Sequence, residues 1–334
     1  MNLESLKQSI NEILDPTSGK TLGETKGLKH IGYDESTDVV TLIVSIGKLG
    51  GVEEQTIKRT IARVVKIDYG HKGVRIQLEE SKIFNSITRK NIEFIGIISG
   101  KGGVGKSSVT ANIAYRLSKK GKTVGIIDAD IYGSSIPSLL EIEHQKVAYS
   151  DDHKIIPIFK DGMEVISTYF FTDPNQAVVW RGSMLNSMLS HFFYDVKWND
   201  DIDYVIIDFP PGTGDILLDI KNIVPQTKML LVTTPNLNAS LVASKSGQAV
   251  KMLNHDLIGV IENMSYYLDP ETNKKHYIFG SGGGQKVAEE LNTELIASLE
   301  ICEPKYHSNL YEIEENNGKI YDEIADFIIM KTTE

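Results

Sequence analysis

A glycine-rich turn between an apolar run and a helical segment limits the folds open to this chain more than any other feature. Residues 94–98 are apolar, residues 100–107 read Gly-Lys-Gly-Gly-Val-Gly-Lys-Ser, and helical spacing continues to residue 119. Glycines let backbone N–H groups curl around phosphate oxygens, and the N-terminus of the next helix adds a favourable dipole. The spacing G-x4-G-K-S, in a strand–turn–helix context, therefore predicts a phosphate-binding loop.

The loop also supplies the candidate ligands for a nucleotide. In loops of this type the lysine, here Lys106, neutralises the terminal phosphates, and the hydroxyl of the next residue, Ser107, helps to hold Mg²⁺. We therefore expect ATP and Mg²⁺ as ligands. The predicted nucleotide-contacting residues of the loop and of the helix start are Gly100, Gly102, Gly103, Val104, Gly105, Lys106, Ser107 and Ser108.

The chain after residue 93 repeats this alternation of short apolar runs with helical stretches. The apolar runs lie at residues 94–98, 124–127, 204–207, 229–232 and 257–261, and the helical stretches at 107–119, 184–193 and 239–254. Continuous apolar strands that alternate with helices indicate a parallel sheet covered on both faces. The sequence predicts an α/β fold over residues 93–334, a P-loop NTPase domain with a mostly parallel sheet between helices.

Residues 1–85 have a different organisation and predict a separate small α+β domain. Helical spacing occurs at residues 5–14 and 53–65, and strand-like patterns occur at 39–46 and 74–78. These periods of 3.6 and 2 residues are the ordinary signals of amphipathic helices and half-buried strands. The stretch at residues 86–92 is the predicted linker.

The distribution of charge does not favour a broad nucleic-acid surface. Residues 1–85 hold 12 basic and 12 acidic residues, so the net charge of −10 lies on the remainder of the chain. Affinity for nucleic acid comes largely from neutralising phosphates. Arg59, Arg63 and Lys66 share one helix face, which we interpret as a solvated face, with a phosphate-backbone or acidic-partner contact as the alternative.

The sequence predicts a cytoplasmic protein without a membrane anchor. It has no run of about 18 consecutive apolar residues, as a spanning helix requires, and its first residues do not resemble a signal peptide. Its one cysteine, Cys302, cannot form an internal disulfide and is compatible with a reducing compartment. Residues 318–330 form an amphipathic helix, which we expect to pack on the core because its polar face is acidic rather than basic.

Two further strands deliver aspartates at their C-terminal ends. Asp128-Ala129-Asp130 follows the run at 124–127, and Asp208 follows the run at 204–207. Ligands of open α/β sheets bind at the carboxyl ends of the strands. Together with the phosphate loop, these aspartates are therefore candidate catalytic residues.

The second lysine of the loop, Lys101, carries a resemblance to the deviant Walker A ATPases, which include MinD and the nitrogenase iron protein. This resemblance implies that Lys101 crosses a dimer interface to the partner's nucleotide, and hence an ATP-dependent homodimer. It also implies that Asp130 positions or activates the attacking water in switch I. Asp208 takes the Walker B position, which holds Mg²⁺ through its water shell, and the glycine-rich run behind it is switch II.

Longer runs narrow the resemblance to the Mrp/ApbC branch of these ATPases. The runs that carry it lie at residues 128–137, 180–184, 208–215, 262–266 and 278–284. Residues 1–85 are similar to the small domain that precedes the ATPase in many Mrp proteins. The resemblance implies ATP hydrolysis, an adenine contact by Asn263, and the carriage of iron–sulfur clusters to client apoproteins.

The chain departs from this family at the residues that hold the cluster. The family bridges its cluster between two subunits with a C-P-x-C motif, which reads Asp269-Pro270-Glu271-Thr272 here. A cysteine often found in the small domain is also absent from residues 47–51. Two hypotheses therefore stay open. One is a homodimeric, Mg²⁺-dependent ATPase in cluster carriage or assembly, and the other is an ATP-switched regulator that binds a protein or DNA partner without a cluster.

We interpret the other candidate metal ligands as residues that bind no metal ion. Cys302 lies near His307 in the sequence, but a lone cysteine is usually a small buried apolar residue. Asp269 and Glu271 flank a proline and are typical of a solvated turn. We therefore predict no metal site in the sequence beyond that for Mg²⁺.

Overall fold

The computed structural model describes residues 3–16, 21–25, 27–46, 52–80, 92–131, 133–171, 182–212, 214–307 and 309–333. Contacts between residues divide the chain into two units, Met1–Arg89 and Lys90–Glu334. The predicted linker at residues 86–92 lies outside the described residues except for Ile92. Its structure therefore stays a prediction.

The first unit is a three-stranded sheet with helices. Its elements are α1 (Leu3–Asn11), β1 (Leu28–Asp34), β2 (Val39–Ile46), α2 (Val52–Arg63), one π-helical turn (Val64–Asp68) and β3 (Gly73–Glu80). Strand β2 lies in the middle, antiparallel to β1 and parallel to β3. Every second residue of β2, including Val40 and Leu42, is buried with Leu6 of α1 and Ile57 of α2. The small core therefore forms between one sheet face and the apolar faces of the helices.

The second unit alternates strands with helices for most of its length. Its elements are β4 (Glu93–Ser99), α3 (Lys106–Lys119), β5 (Val124–Asp128), α4 (Ile136–Leu139), β6 (Ala148–Tyr149), β7 (Ile155–Ile156), β8 (Ile158–Lys160), β9 (Met163–Ser167), α5 (Gly182–Tyr194), β10 (Tyr204–Asp208), α6 (Asp215–Ile223), β11 (Lys228–Thr233), α7 (Leu237–Met252), β12 (Asp256–Leu268), β13 (Lys275–His276), α8 (Gly283–Glu290), β14 (Leu295–Glu300) and α9 (Asn316–Thr333).

One large sheet organises this unit. Its strand order is β13-β12-β11-β4-β10-β5-β9-β8, with β14 paired to β12. All neighbours are parallel except at the margins, where β8 and β13 run antiparallel to their partners. Every residue of β5 and β10 is buried, which requires cover on both sheet faces. The predicted α/β P-loop NTPase fold is confirmed.

The order of the central strands determines where a site can form. Strands β4, β10 and β5 are neighbours, and their register places Asp208 level with Ile97 on one side and Asp128 on the other. The loops that follow these three strands therefore leave the sheet at the same height. The phosphate loop and both aspartate-bearing segments meet there.

The C-terminal helix α9 packs on the core, as the sequence predicts. Ile324 and Ile328 are fully buried in the main cluster. The acidic face of the helix meets α3, where Asp322 accepts hydrogen bonds from Arg116 Nη2 at 2.8 Å and Lys120 Nζ at 2.7 Å. None of the helices in the described ranges is long and apolar enough to cross a bilayer.

Truncating Ile328 tests the role of α9. Because Ile328 is fully buried, Ile328→Ala should lower the free energy of unfolding by about 2–5 kcal/mol. Met330 on the same helix is 47% exposed, so Met330→Ala should change it by no more than about 0.5 kcal/mol. Urea denaturation followed by circular dichroism measures both. Equal effects of the two substitutions would show that α9 is not part of the core.

Candidate functional site

A cleft of about 620 Å³ opens where β4, β5 and β10 end. This volume is typical of a small-molecule site. Pro210 and Pro211, behind β10, form part of its wall. The residues predicted from the sequence that line the cleft are Lys101, Gly102, Gly103, Gly105, Lys106, Ser107, Ser108 and Asp130.

The glycines of the loop are required by backbone geometry. Gly103 and Gly105 have φ angles of 80° and 81°, in the left-handed region that favours glycine. Gly100 is required for a different reason, because a Cβ atom there would lie 2.5 Å from the backbone nitrogen of Ala243 in α7. Helix α3 begins at Lys106, directly after this turn. Its N-terminus therefore faces the cleft, where it favours an anion.

A buried ion pair lies at the base of the cleft. Lys106 Nζ is 2.7 Å from Asp208 Oδ1, and the two side chains are 6% and 0% exposed. The same nitrogen is 3.9 Å from Asp130 Oδ2. The sequence predicted these three residues to act together, and the structure brings them together.

Asp208 also accepts two hydroxyl hydrogen bonds from α3. Ser107 Oγ donates to Oδ2 at 2.6 Å, and Thr110 Oγ1 donates to Oδ1 at 2.8 Å. Sequence analysis missed Thr110. Its position four residues after Lys106 on the same helix is the signal that could have identified it, because residues at that spacing share a face.

The two aspartates behind β5 have different surroundings. Asp128 is fully buried and accepts a hydrogen bond from Ser167 Oγ at 2.9 Å. Burial, and then the neighbouring carboxylate of Asp208, raises the pKa of Asp128 well above its ordinary value. Asp130 lines the cleft. Burial also raises its pKa, although the ammonium of Lys106 acts in the opposite direction.

The donor set suits Mg²⁺. The Ser107 hydroxyl and the carboxylates of Asp130 and Asp208 are hard oxygen donors beside the phosphate loop. Mg²⁺ usually keeps several waters and binds one or two carboxylates together with substrate phosphates. Such a site needs few protein ligands. In the described part of the chain, no group of three or more His, Cys, Asp or Glu side chains is placed to hold a metal ion.

The remaining predicted residues, Lys101 and Asn263, lie at the edge of the site. Lys101 is exposed on the rim of the cleft. Asn263 Nδ2 donates to the backbone carbonyl of Val104 at 2.9 Å, so this side chain contacts the loop itself. The expected contact of Asn263 with adenine stays a prediction.

Residues 269–272, where the resemblance led us to expect a C-P-x-C motif, form a turn between β12 and β13. Asp269 Oδ1 accepts hydrogen bonds from the backbone nitrogens of Glu271 and Thr272, both at 2.9 Å. Both hydrogen bonds lower the pKa of Asp269, and the bond from Thr272 has the larger effect. Pro270 and Glu271 are exposed. The interpretation as a solvated turn is confirmed.

The interpretation of Cys302 as a buried apolar residue is wrong. Cys302 is exposed and follows β14 in a segment without regular structure. Its sulfur lies 3.3 Å from Asn317 Nδ2 and 3.8 Å from the Tyr311 hydroxyl. Partial burial of the side chain raises the pKa of the thiol, although the hydrogen bond with Tyr311 acts in the opposite direction. A thiol with a raised pKa is a weaker metal ligand at neutral pH, because the thiolate is the binding form.

Parts of the predicted motifs lie outside the described residues. These are Tyr132 and Thr213 in the two aspartate-bearing segments, Trp180 and Arg181, and the glycine-rich turn at residues 47–51.

Comparison with known proteins identifies the family to which the chain is similar. The model of the family described as NUBPL iron-transfer P-loop NTPase, of the ParA group, matches residues 90–326. A protein named iron-sulfur cluster carrier protein from Bacillus subtilis (strain 168) is 35% identical over a 347-residue alignment, which covers 98% of this chain and 97% of that protein. A protein of the same name from Synechocystis is 33% identical, in an alignment that covers 87% of this chain and 84% of that protein.

Among solved structures, a nucleotide-binding protein from Archaeoglobus fulgidus, in complex with ADP, is similar to this chain. The two are 31% identical, with a TM-score of 0.54, over 71% of this chain and 88% of the other.

Replacement of Thr110 tests how much Asp208 depends on α3. Thr110→Val keeps the shape but removes a hydrogen bond to a buried carboxylate, which should cost about 1–3 kcal/mol of stability in the absence of ligand. Thr110→Ser keeps the hydroxyl and loses only a methyl group, at a cost of about 0.8 kcal/mol. Denaturation with urea measures both. A serine variant as unstable as the valine variant would contradict a role of the hydroxyl.

Proposed function

This chain belongs to the NUBPL iron-transfer P-loop NTPase family, and on that premise we propose that it is a Mg²⁺-dependent ATPase. We further propose that it works as a homodimer and that its ATP cycle serves the carriage or assembly of iron–sulfur clusters. The observation that carries the ATPase proposal is the meeting of Lys106, Ser107 and Asp208 at the base of a cleft lined by the phosphate loop.

The buried ion pair prepares Lys106 for a phosphate. Asp208 holds the ammonium at the base of the cleft before any ligand arrives. The bound triphosphate would then attract this nitrogen, and because the Lys106 side chain is only 6% exposed, the attraction would be stronger than in bulk water. When bound, Mg²⁺ would neutralise phosphate charge, held by Ser107 and, through water, by Asp208.

We propose that Asp130 orients the attacking water. Its carboxylate lines the cleft and lies 3.9 Å from Lys106 Nζ. Pro210 and Pro211 also line the cleft. The backbone nitrogen of Gly212 donates to the carbonyl of Ser99 at 2.8 Å. This bond links switch II to the start of the phosphate loop. Loss of the γ-phosphate can therefore change the positions of both segments.

Lys101 supports the homodimer. The side chain is exposed on the rim of the cleft, whereas Lys106 is buried at its base. An exposed lysine at this position can reach a second copy of the cleft across an interface. We propose that Lys101 contacts the nucleotide of the partner subunit. We also propose a cytoplasmic location, which the single exposed cysteine supports.

The cargo is inferred from the relatives rather than from ligands in this chain. Thiolates are the usual ligands of iron–sulfur clusters, and a homodimer of this chain contains two cysteines, one from each copy of Cys302. The turn at Asp269–Thr272 offers oxygen atoms instead. A carried cluster would therefore require oxygen or nitrogen ligands, or thiolates supplied by a client.

The same turn favours a second candidate function. An ATP-switched regulator would keep the complete nucleotide site and would have no need of thiolates at the turn. Such a protein would bind a protein or DNA partner in one nucleotide state only.

The two lysines should give different defects. Lys106→Ala should lower the rate of ATP hydrolysis by about 100-fold or more, since it removes a preorganised charge from the phosphates. Lys101→Ala should keep ATP affinity within about threefold but lose turnover, because its target lies in the other subunit. Hydrolysis assays and equilibrium binding measure both, with the exposed Lys319→Ala as control. Normal hydrolysis by the Lys101 variant would show that the cross-dimer role is wrong.

Anaerobic reconstitution with iron and sulfide separates the two candidate functions. A cluster at about one per dimer that transfers to an apoprotein would exclude the regulator without a cluster. No retained cluster would exclude a carrier with its own ligands. Cys302→Ser is the matched control, because a cluster that persists in this variant must use other side chains.

A further inference from the structure

The side chain of Asn263 contacts the phosphate loop. Its Nδ2 donates to the Val104 carbonyl at 2.9 Å, and its Oδ1 accepts from the backbone nitrogen of Met264 at 2.9 Å. Both ends of the carboxamide are therefore engaged by the protein. Val104 is 5% exposed and lies between the two left-handed glycines of the loop.

The carboxamide occupies the space that a side chain at Gly105 would need. A Cβ atom at this glycine would lie 2.2 Å from Asn263 Nδ2. Gly105 is favoured by its φ angle of 81°, and a side chain there would displace the Asn263 carboxamide from its present position.

Strand β12 is irregular around Asn263, and this irregularity directs the Asn263 side chain toward the phosphate loop. The pairing of β12 with β14 shifts between Glu262 and Tyr266, and Met264 has a left-handed φ of 54°. Glu262 is 3% exposed, and its two oxygens accept hydrogen bonds from Ser265 Oγ at 2.6 Å and from the Gly284 nitrogen at 2.5 Å. These bonds hold the irregular segment in place.

Peptide geometry gives this contact a consequence for phosphate binding. In a planar trans peptide the carbonyl and the following N–H point in opposite directions. Asn263 draws the Val104 carbonyl toward β12, so the N–H of Gly105 points the other way. Gly105 lines the cleft. The contact therefore directs one N–H donor of the loop toward the position of the phosphates.

We infer that Asn263 is a positioning residue that latches the phosphate loop through the Val104 carbonyl and thereby sets the affinity for the phosphate chain of any nucleotide. This inference rests on the proposed nucleotide binding. It differs from a contact with adenine, because a latch acts on every ligand that carries the phosphates, whereas a base contact acts only on adenine nucleotides.

Ligands with and without a base test the latch. The ligands are ADP, GDP and inorganic pyrophosphate, each with Mg²⁺, and calorimetry gives their dissociation constants for the full chain. Asn263→Ala should weaken all three by a similar factor, about 5- to 50-fold, as expected for one lost hydrogen bond. Asn263→Asp keeps the size of the side chain but replaces the donor with an acceptor, so it should weaken all three at least as much. Gln55→Ala, an exposed carboxamide in the first unit, is the control.

Each other outcome overturns the latch. If ADP binds more weakly to the variants while pyrophosphate binds normally, Asn263 only contacts the base. If the binding of all three ligands is unaffected, the contact with Val104 has no role in binding. The wild type tests the proposed function separately, since binding of ADP without any ATP hydrolysis overturns the ATPase and leaves the latch to be judged on binding. A wild type that binds none of the three ligands overturns both.

Discussion

The shape of the nucleotide site depends on the buried ion pair between Lys106 and Asp208. Two charges removed from water are stable only when they are paired at close range and their remaining hydrogen-bonding capacity is used. Here the distance is 2.7 Å, and the hydroxyls of Ser107 and Thr110 supply the further bonds to the carboxylate. The pair joins the first turn of α3 to the end of β10. It thus fixes the phosphate loop against the end of strand β10.

Much of the fold could be predicted because its signals are local. The strand–turn–helix around the phosphate loop and the buried strands β5 and β10 follow from uninterrupted apolar runs, which a parallel sheet buries on both faces. Asp128 and Asp208 each end an apolar run, and neighbouring parallel strands place the two residues side by side. No other sequence signal is needed to predict this. Small elements such as β1 and β8 were missed, since β1 is mostly half-exposed and β8 has three residues.

The parts of the site that the sequence did not reveal depend on irregular or long-range structure. Strand β12 was predicted to end at Ile261 but continues to Leu268, because the polar residues after Ile261 are buried by contacts with α8 and the loop rather than by their own hydropathy. The bulge that turns Asn263 toward Val104 has no local signature. Cys302 was assigned to the core on composition alone, whereas exposure is decided by the course of the segment after β14.

The packing of Gly100 against the backbone of α7 affects how such motifs are interpreted in other sequences. A glycine that leaves no room for a methyl group would be retained by any descendant of this fold, including one that had ceased to bind nucleotides. Its presence therefore reports shared ancestry of the scaffold and says little about chemistry. Lys106, in contrast, reports on the chemistry. Burial of an ammonium is costly, so a well-packed apolar side chain could replace this lysine once no phosphate had to be bound. In a survey of degenerate relatives, loss of this lysine with retention of the glycine would mark the chains that have kept the architecture and given up the reaction.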